Sequence, residues 1–137
     1  MTHFEPCMNQ YCLHDTKITN VEIKCDAIEF VFQSGVYLYD SNRRLTEKTG
    51  PCSMKVYIND FNIDRIYEHT EIKHIYKSKI KEIKFSDFLK LLSDNEFHIY
   101  LDYYSFFADS ILLIGSIRKY EIQIVITEIN RISFDFI

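Results

Sequence analysis

Five histidines, four cysteines and twenty carboxylates are the groups with which this 137-residue chain could do chemistry, and their spacing limits what that chemistry is. His3, Cys7, Cys12 and His14 gather near the start, and thiolates and imidazoles are the donors zinc prefers. Their separations, with three, four and one residues between them, do not form a knuckle, and no second ligand pair follows downstream, so neither a metal nor another cofactor is expected. His14-Asp15 has the composition of the orienting half of an acid–base pair, since a carboxylate fixes an imidazole's tautomer and raises its basicity. No nucleophile accompanies it. Neighbours on a strand also point to opposite faces, so Asp15 is expected to open a turn while His14 packs at a strand end. There is no Gly-rich phosphate loop, no G-x-S-x-G elbow, no H-E-x-x-H helix and no C-x-x-C pair, and glycines at 35, 50 and 115 are too scattered to cradle a nucleotide.

Two segments have the composition of binding surfaces. Lys73, Lys77, Lys79, Lys81 and Lys84 cluster against Glu82, but without interleaved Arg and Gly this reads as a solvated edge strand, not a nucleic-acid contact. The span 94 to 109 carries Asp94, Glu96, Asp102 and Asp109 with no Lys or Arg, together with Phe97, Tyr100, Tyr103, Tyr104, Phe106 and Phe107. Strict alternation would send Phe97, Ile99, Leu101 and Tyr103 to the core and His98, Tyr100, Asp102 and Tyr104 to solvent. Tyrosines give large contact area at low entropic cost, and carboxylates steer a basic partner, so Asp94, Glu96, Tyr100, Asp102, Tyr104 and Asp109 are the candidate partner-binding residues. On that geometry Tyr104→Ala would weaken binding and leave the fold intact.

The elements that must position these residues are mostly strands. Ile18, Val21 and Ile23 lead through a turn at Cys25-Asp26 to Ile28, Phe30 and Phe32, and 36 to 39 follows a turn at Ser34-Gly35. Met54, Val56 and Ile58, then Tyr120 to Ile126, then Ile132, Phe134 and Phe136 repeat the period of two. One helix is expected at 86 to 93, capped by Ser86, with Phe85, Phe88, Leu89 and Leu92 on one face. The stretch 63 to 83 fits a helical stripe or two strands turning near Ser78, and strands are taken. The fold class is therefore α+β, a predominantly antiparallel sheet system, sandwich or half-barrel, in one domain over 1–137. With few Gly and Pro, the turns are expected to rely on Asn, Asp and Ser. A formal charge of −4 disfavours nucleic acid. The longest apolar run, Ile111 to Ile114, is far too short to cross a membrane, and no secretory leader opens the chain, so a cytoplasmic location with free thiols is expected.

The run Leu13-His14-Asp15-Thr16-Lys17-Ile18-Thr19-Asn20-Val21, the strand Ala27 to Phe32, then Phe85-Ser86-Asp87-Phe88-Leu89 and a closing strand Ile122 to Ile129 resemble small bacterial immunity proteins, those paired with polymorphic or contact-dependent growth-inhibition toxins. The resemblance implies a cytosolic α+β domain that binds and neutralises a cognate toxin domain and has no activity of its own. It implies no particular interface residues. Two other functions stay open. One is a small apolar-ligand carrier, with Phe- and Ile-rich strands enclosing a cavity; the other is an enzyme using His14, His69, His74 or His98 beside a carboxylate.

Overall fold

The computed structural model describes residues 10–24, 26–105 and 107–137. The alternating segments form strands Tyr11–Cys12 (β1), Lys17–Ile18 (β2), Asn20–Lys24 (β3), Ala27–Phe32 (β4), Tyr37–Tyr39 (β5), Leu45–Lys48 (β6) and Cys52–Ile58 (β7). A 3-10 turn at Ile63–Glu68 leads to Thr70–Tyr76 (β8), Lys79–Ile83 (β9), the helix Phe85–Leu92 (α1), Phe97–Ser105 (β10), Ser110–Ile117 (β11), Tyr120–Ile126 (β12) and Ile129–Phe136 (β13). This is the expected α+β, mostly antiparallel architecture. The described strands form three sheets, ordered β2-β10-β11-β12-β8-β9, β13-β7-β4-β3 and β1-β5-β6.

Period-two patterning explains why the two larger sheets pack face to face. Ile28, Phe30 and Phe32 on β4 and Met54, Val56 and Ile58 on β7 line the inner face of one; Ile111, Leu113 and Ile117 on β11 and Ile122, Ile124 and Ile126 on β12 line that of the other. All of these are buried, and they belong to one hydrophobic core. The Phe and Ile side chains between the sheets therefore pack on one another. An open apolar groove of about 800 Å³ lies beside the core instead, lined by Ile23, Ile63, Ile66, Tyr67, Ile83, Phe85 and Leu89, with Glu82, Lys84 and Asp87 among its polar residues.

The helix starts at Phe85, two residues before a cap at Ser86 would allow. Lys84 is the extended residue that precedes it, and its N–H donates to Asp87 Oδ2 at 3.2 Å. Asp87, three residues into the turn, performs the reciprocal half of a cap, so Ser86 sits inside the helix and does not cap it. Phe88 and Leu92 anchor the apolar face.

The ambiguous stretch 63 to 83 is strand only from Thr70 onward, Ile63–Glu68 being 3-10 helix where strand was expected; the two strands join in a tight turn where Lys77 and Ser78 both take positive φ, 49° and 67°, as a two-residue hairpin of the right twist requires. Asp15, Asp60, Asp94 and Asp109 hold positive φ as well, in keeping with an Asp-based turn vocabulary, but so do Arg43, Arg118 and Glu128. Long charged residues thus share the turn role. Cys12 and Cys52 are buried free thiols, whereas Cys7 and the Cys25 turn position lie outside the described residues. No helix among the described residues is long and apolar enough to cross a membrane.

Candidate functional site

The acidic, aromatic span occupies α1's exit, all of β10 and the turn into β11. Alternation breaks within β10: Ile99 lies opposite Gly115 and Leu101 opposite Ile114, leaving Tyr100 as the extra residue of a β-bulge. Everything after Tyr100 is turned over. Asp102 now lies opposite buried Leu113 and Tyr104 opposite buried Ile111, so both point inward, while Leu101 and Tyr103 sit opposite Ile114 and Leu112 on the outer face. The expected orientations of Leu101, Asp102, Tyr103 and Tyr104 are all corrected by this one inserted residue.

The six candidate residues consequently divide among three places. Asp94 and Glu96 are exposed at the start of β10 and line a polar groove of about 500 Å³ with Lys17, Asn95, His98, Ser116 and Arg118. Tyr100 stands beside that groove, its hydroxyl donating to Ser116 Oγ and its ring 5.2 Å, edge-on, from His98. Asp109 belongs to the opposite end, in the β10–β11 turn, where its carbonyl accepts from Ile129 N–H at 2.9 Å. At about 3.4 Å per residue, nine-residue β10 holds the two ends roughly 30 Å apart.

Asp102 and Tyr104 form the third place. The Tyr104 hydroxyl donates to Asp102 Oδ2 at 2.7 Å, within interaction distance of Tyr39 and Cys12 from the small sheet. Burial first, and then the Asp102 charge, holds the Tyr104 hydroxyl well above its ordinary pKa. Tyr39 is pushed up to about 12, chiefly by its hydrogen bond with Cys12 and then by burial. Both shifts favour the neutral phenol in the folded state. Their contribution to stability is therefore complete below the ordinary tyrosine value near 10 and is lost as pH rises through the folded values. Denaturant titrations should show stability falling above about pH 10, with a shallower fall in Tyr39→Phe; equal slopes for the two proteins would show that Tyr39 carries none of the linkage.

The outer face is the surface that alternation missed. Tyr100, Leu101 and Tyr103 are 43%, 50% and 63% exposed, and Phe107 at the hairpin tip is fully exposed. Leu112 and Ile114 of β11 and Val125 of β12 continue the patch across the sheet, since Leu112 pairs with both Tyr103 and Val125. Three tyrosine and leucine side chains standing this far into water on one strand exceed the scatter of single apolar residues that a surface ordinarily carries. Glu121, Gln123, Glu71 and Lys73 form its far rim, in register on β12 and β8. The one sequence signal for the bulge is Gly115, a glycine inside an apolar strand.

Asp15 sits in a turn, as expected, but His14 shares that turn instead of packing at a strand end, so the two side chains do meet. Asp15 has φ of 60°, and its N–H donates to Ile99 O at 2.9 Å, which pins the turn against β10. Its carboxylate then lies 3.5 Å from His14 Nε2 and 3.8 Å from His98 Nε2. All three side chains are substantially exposed. No group of three or more His, Cys, Asp or Glu suited to a metal occurs among the described residues; His3 and Cys7 lie outside them. The other two histidines are far from this cluster in the fold: His69 is buried against Phe61, with Glu128 3.4 Å from its Nδ1, and His74 stacks on Tyr120. The lysines behave as an edge should: β9 ends its sheet, and Lys79 and Lys81 are exposed on it. No protein-family model, curated protein or solved structure matches the chain.

Proposed function

We propose that this protein is a binding inhibitor of the immunity type its sequence resembles, acting in the cytoplasm on a cognate bacterial toxin domain by covering its active or substrate-binding surface, with no catalysis of its own. The observation that carries this reading is the bulge at Tyr100, which places Tyr100, Leu101 and Tyr103 together on the solvent face of a rigid sheet. Aromatic and aliphatic anchors on regular strands bind at low entropic cost, and their loss of water is the main gain of association. The flanking charges favour a basic partner: Asp15, Asp94 and Glu96 at the Tyr100 end and Glu71 and Glu121 beyond Val125 outnumber Lys17, Lys73 and Arg118, on a chain of net −4. Asp94, Glu96 and Tyr100 keep their proposed contact role. Asp102 and Tyr104 support the face from below, and Asp109 lies at its hairpin end.

Co-expression with the toxin domain encoded beside its gene tests the reading. Growth should be rescued by the wild-type chain and the complex should weaken with salt; a toxin that stays fully active with the folded protein in excess would overturn it.

The apolar groove supports a second reading, a carrier of small apolar ligands, because its volume of about 800 Å³ and its Ile, Phe and Leu lining are those of a ligand site. An apolar fluorescent dye should then bind saturably and be displaced by Leu89→Glu, which places a charge in that lining.

A further inference from the structure

Among the described residues, the far edge of the six-stranded sheet is open. β9 pairs with β8 over all five of its residues, Tyr76 with Lys79 through Ile72 with Ile83, with no bulge, and its other side pairs with no described strand. It contains no proline, and Lys79, Ile80, Lys81 and Glu82 are all exposed, Ile80 at 67%. A regular, unblocked edge of this kind presents a row of free N–H and C=O groups to any extended chain. Lysine normally discourages that, by repelling copies of itself.

The pleat defines which extended chain would be accepted. Ile83 lies opposite buried Ile72, so Lys79, Lys81 and Ile83 share the inner side of β9, and Ile80 and Glu82 share the outer side with Ile75 and Lys73. At its Ile83 end β9 opens onto the apolar groove, which Ile83 lines together with Phe85 and Leu89. Lys79, Lys81 and Lys84 make no ion pair with any described residue, so their charge is available to a partner. A second copy is a poor occupant, because an antiparallel pairing of two β9 strands centred on Lys81 would set lysine against lysine.

We infer that β9 is a strand-addition site for an acidic extended peptide, which joins the sheet antiparallel to Lys79–Ile83. Read from its N-terminus, the peptide would carry an apolar residue opposite Ile83, a neutral polar residue opposite Glu82, an acid opposite Lys81, an apolar residue opposite Ile80 and an acid opposite Lys79. Main-chain hydrogen bonds supply affinity and the alternate side chains supply selectivity. This surface is four strand spacings, about 19 Å, from β10 across the sheet, and the inference does not depend on the inhibitor reading.

A fluorescein-labelled peptide Ser-Val-Thr-Glu-Val-Asp-Ser tests it by anisotropy against the purified full chain. Saturable binding is expected, with a loss of roughly tenfold or more in the double variant Lys79→Glu, Lys81→Glu, recovered by the peptide whose two acids are replaced by lysine. Because those exposed substitutions touch no core contact, the variant should keep its circular dichroism spectrum. Methylating alternate backbone amides of the peptide should abolish binding in one phase and spare it in the other, which only strand pairing produces. No saturable binding, equal binding in both methylation phases, or binding indifferent to the charge swap would overturn the inference, as would a dimer of the chain that pairs through β9.

Discussion

Gly115→Ala is expected to destabilise the protein by about 3 kcal/mol, more than most single-methyl additions. A β-carbon at position 115 would lie 2.0 Å from the His98 carbonyl oxygen, 2.8 Å from its carbon and 2.8 Å from Phe97 Cε1. The Phe97 ring can give a little. The His98 carbonyl cannot, because β10 is held on both sides there, His98 pairing with Ser116 of β11 and with Lys17 of β2. Relief then requires the strands to separate or the bulge at Tyr100 to relocate, and a relocated bulge would return Leu101 and Tyr103 to the wrong face. Thermal denaturation should show a midpoint lower by roughly 10 °C for a chain of this size. Gly50→Ala is the matched control: nothing lies within 4 Å of its added carbon, and the effect should stay within about 0.5 kcal/mol. If the two variants melt together, the close approach of β11 to β10 that defines the bulge is not present in solution.

That single backbone feature also marks where sequence patterning stops. The paired strands from Asn20 to Phe32, the helix at Phe85–Leu92 and the final hairpin are legible because one face of each is apolar and the other is not. β10 offers no such contrast. In Tyr100-Leu101-Asp102-Tyr103-Tyr104 large apolar or amphipathic side chains fall on both phases of the alternation, so either phase can be assigned to the core, and only the partner strand decides between them. The choice is made by Gly115, fourteen residues beyond Leu101 in the chain, whose missing side chain lets β10 crowd in and insert Tyr100. The His14-Asp15 contact was illegible for a similar reason. Its geometry belongs to a left-handed turn residue, and a rule about strands does not apply to it. Ser86 has the side chain suited to a cap, yet Asp87 serves from inside the helix by accepting the Lys84 N–H.

On the proposed inhibitor reading, Leu101→Glu and Tyr103→Ala are each expected to weaken the complex with a cognate toxin domain by roughly 100-fold or more, the effect of removing a central, fully desolvated anchor. Both side chains are at least half exposed in the free protein, so neither substitution should lower its own stability by more than about 0.5 kcal/mol. Glutamate at 101 adds a second penalty, because a carboxylate in place of the apolar contact beside Ile114 must give up its water on binding. Tyr104→Ala supplies the contrast that the inward geometry demands. Tyr104 packs on the core and donates to Asp102, so its truncation should cost stability, about 3 kcal/mol for an aromatic lost from the interior, while the binding face stays intact in molecules that remain folded. Calorimetric titration of each variant, corrected for the folded fraction measured by denaturation, separates the two effects. Affinity retained at both Leu101 and Tyr103 would move the interface off this face altogether and leave the polar groove around Glu96 and His98 as the surface to test next.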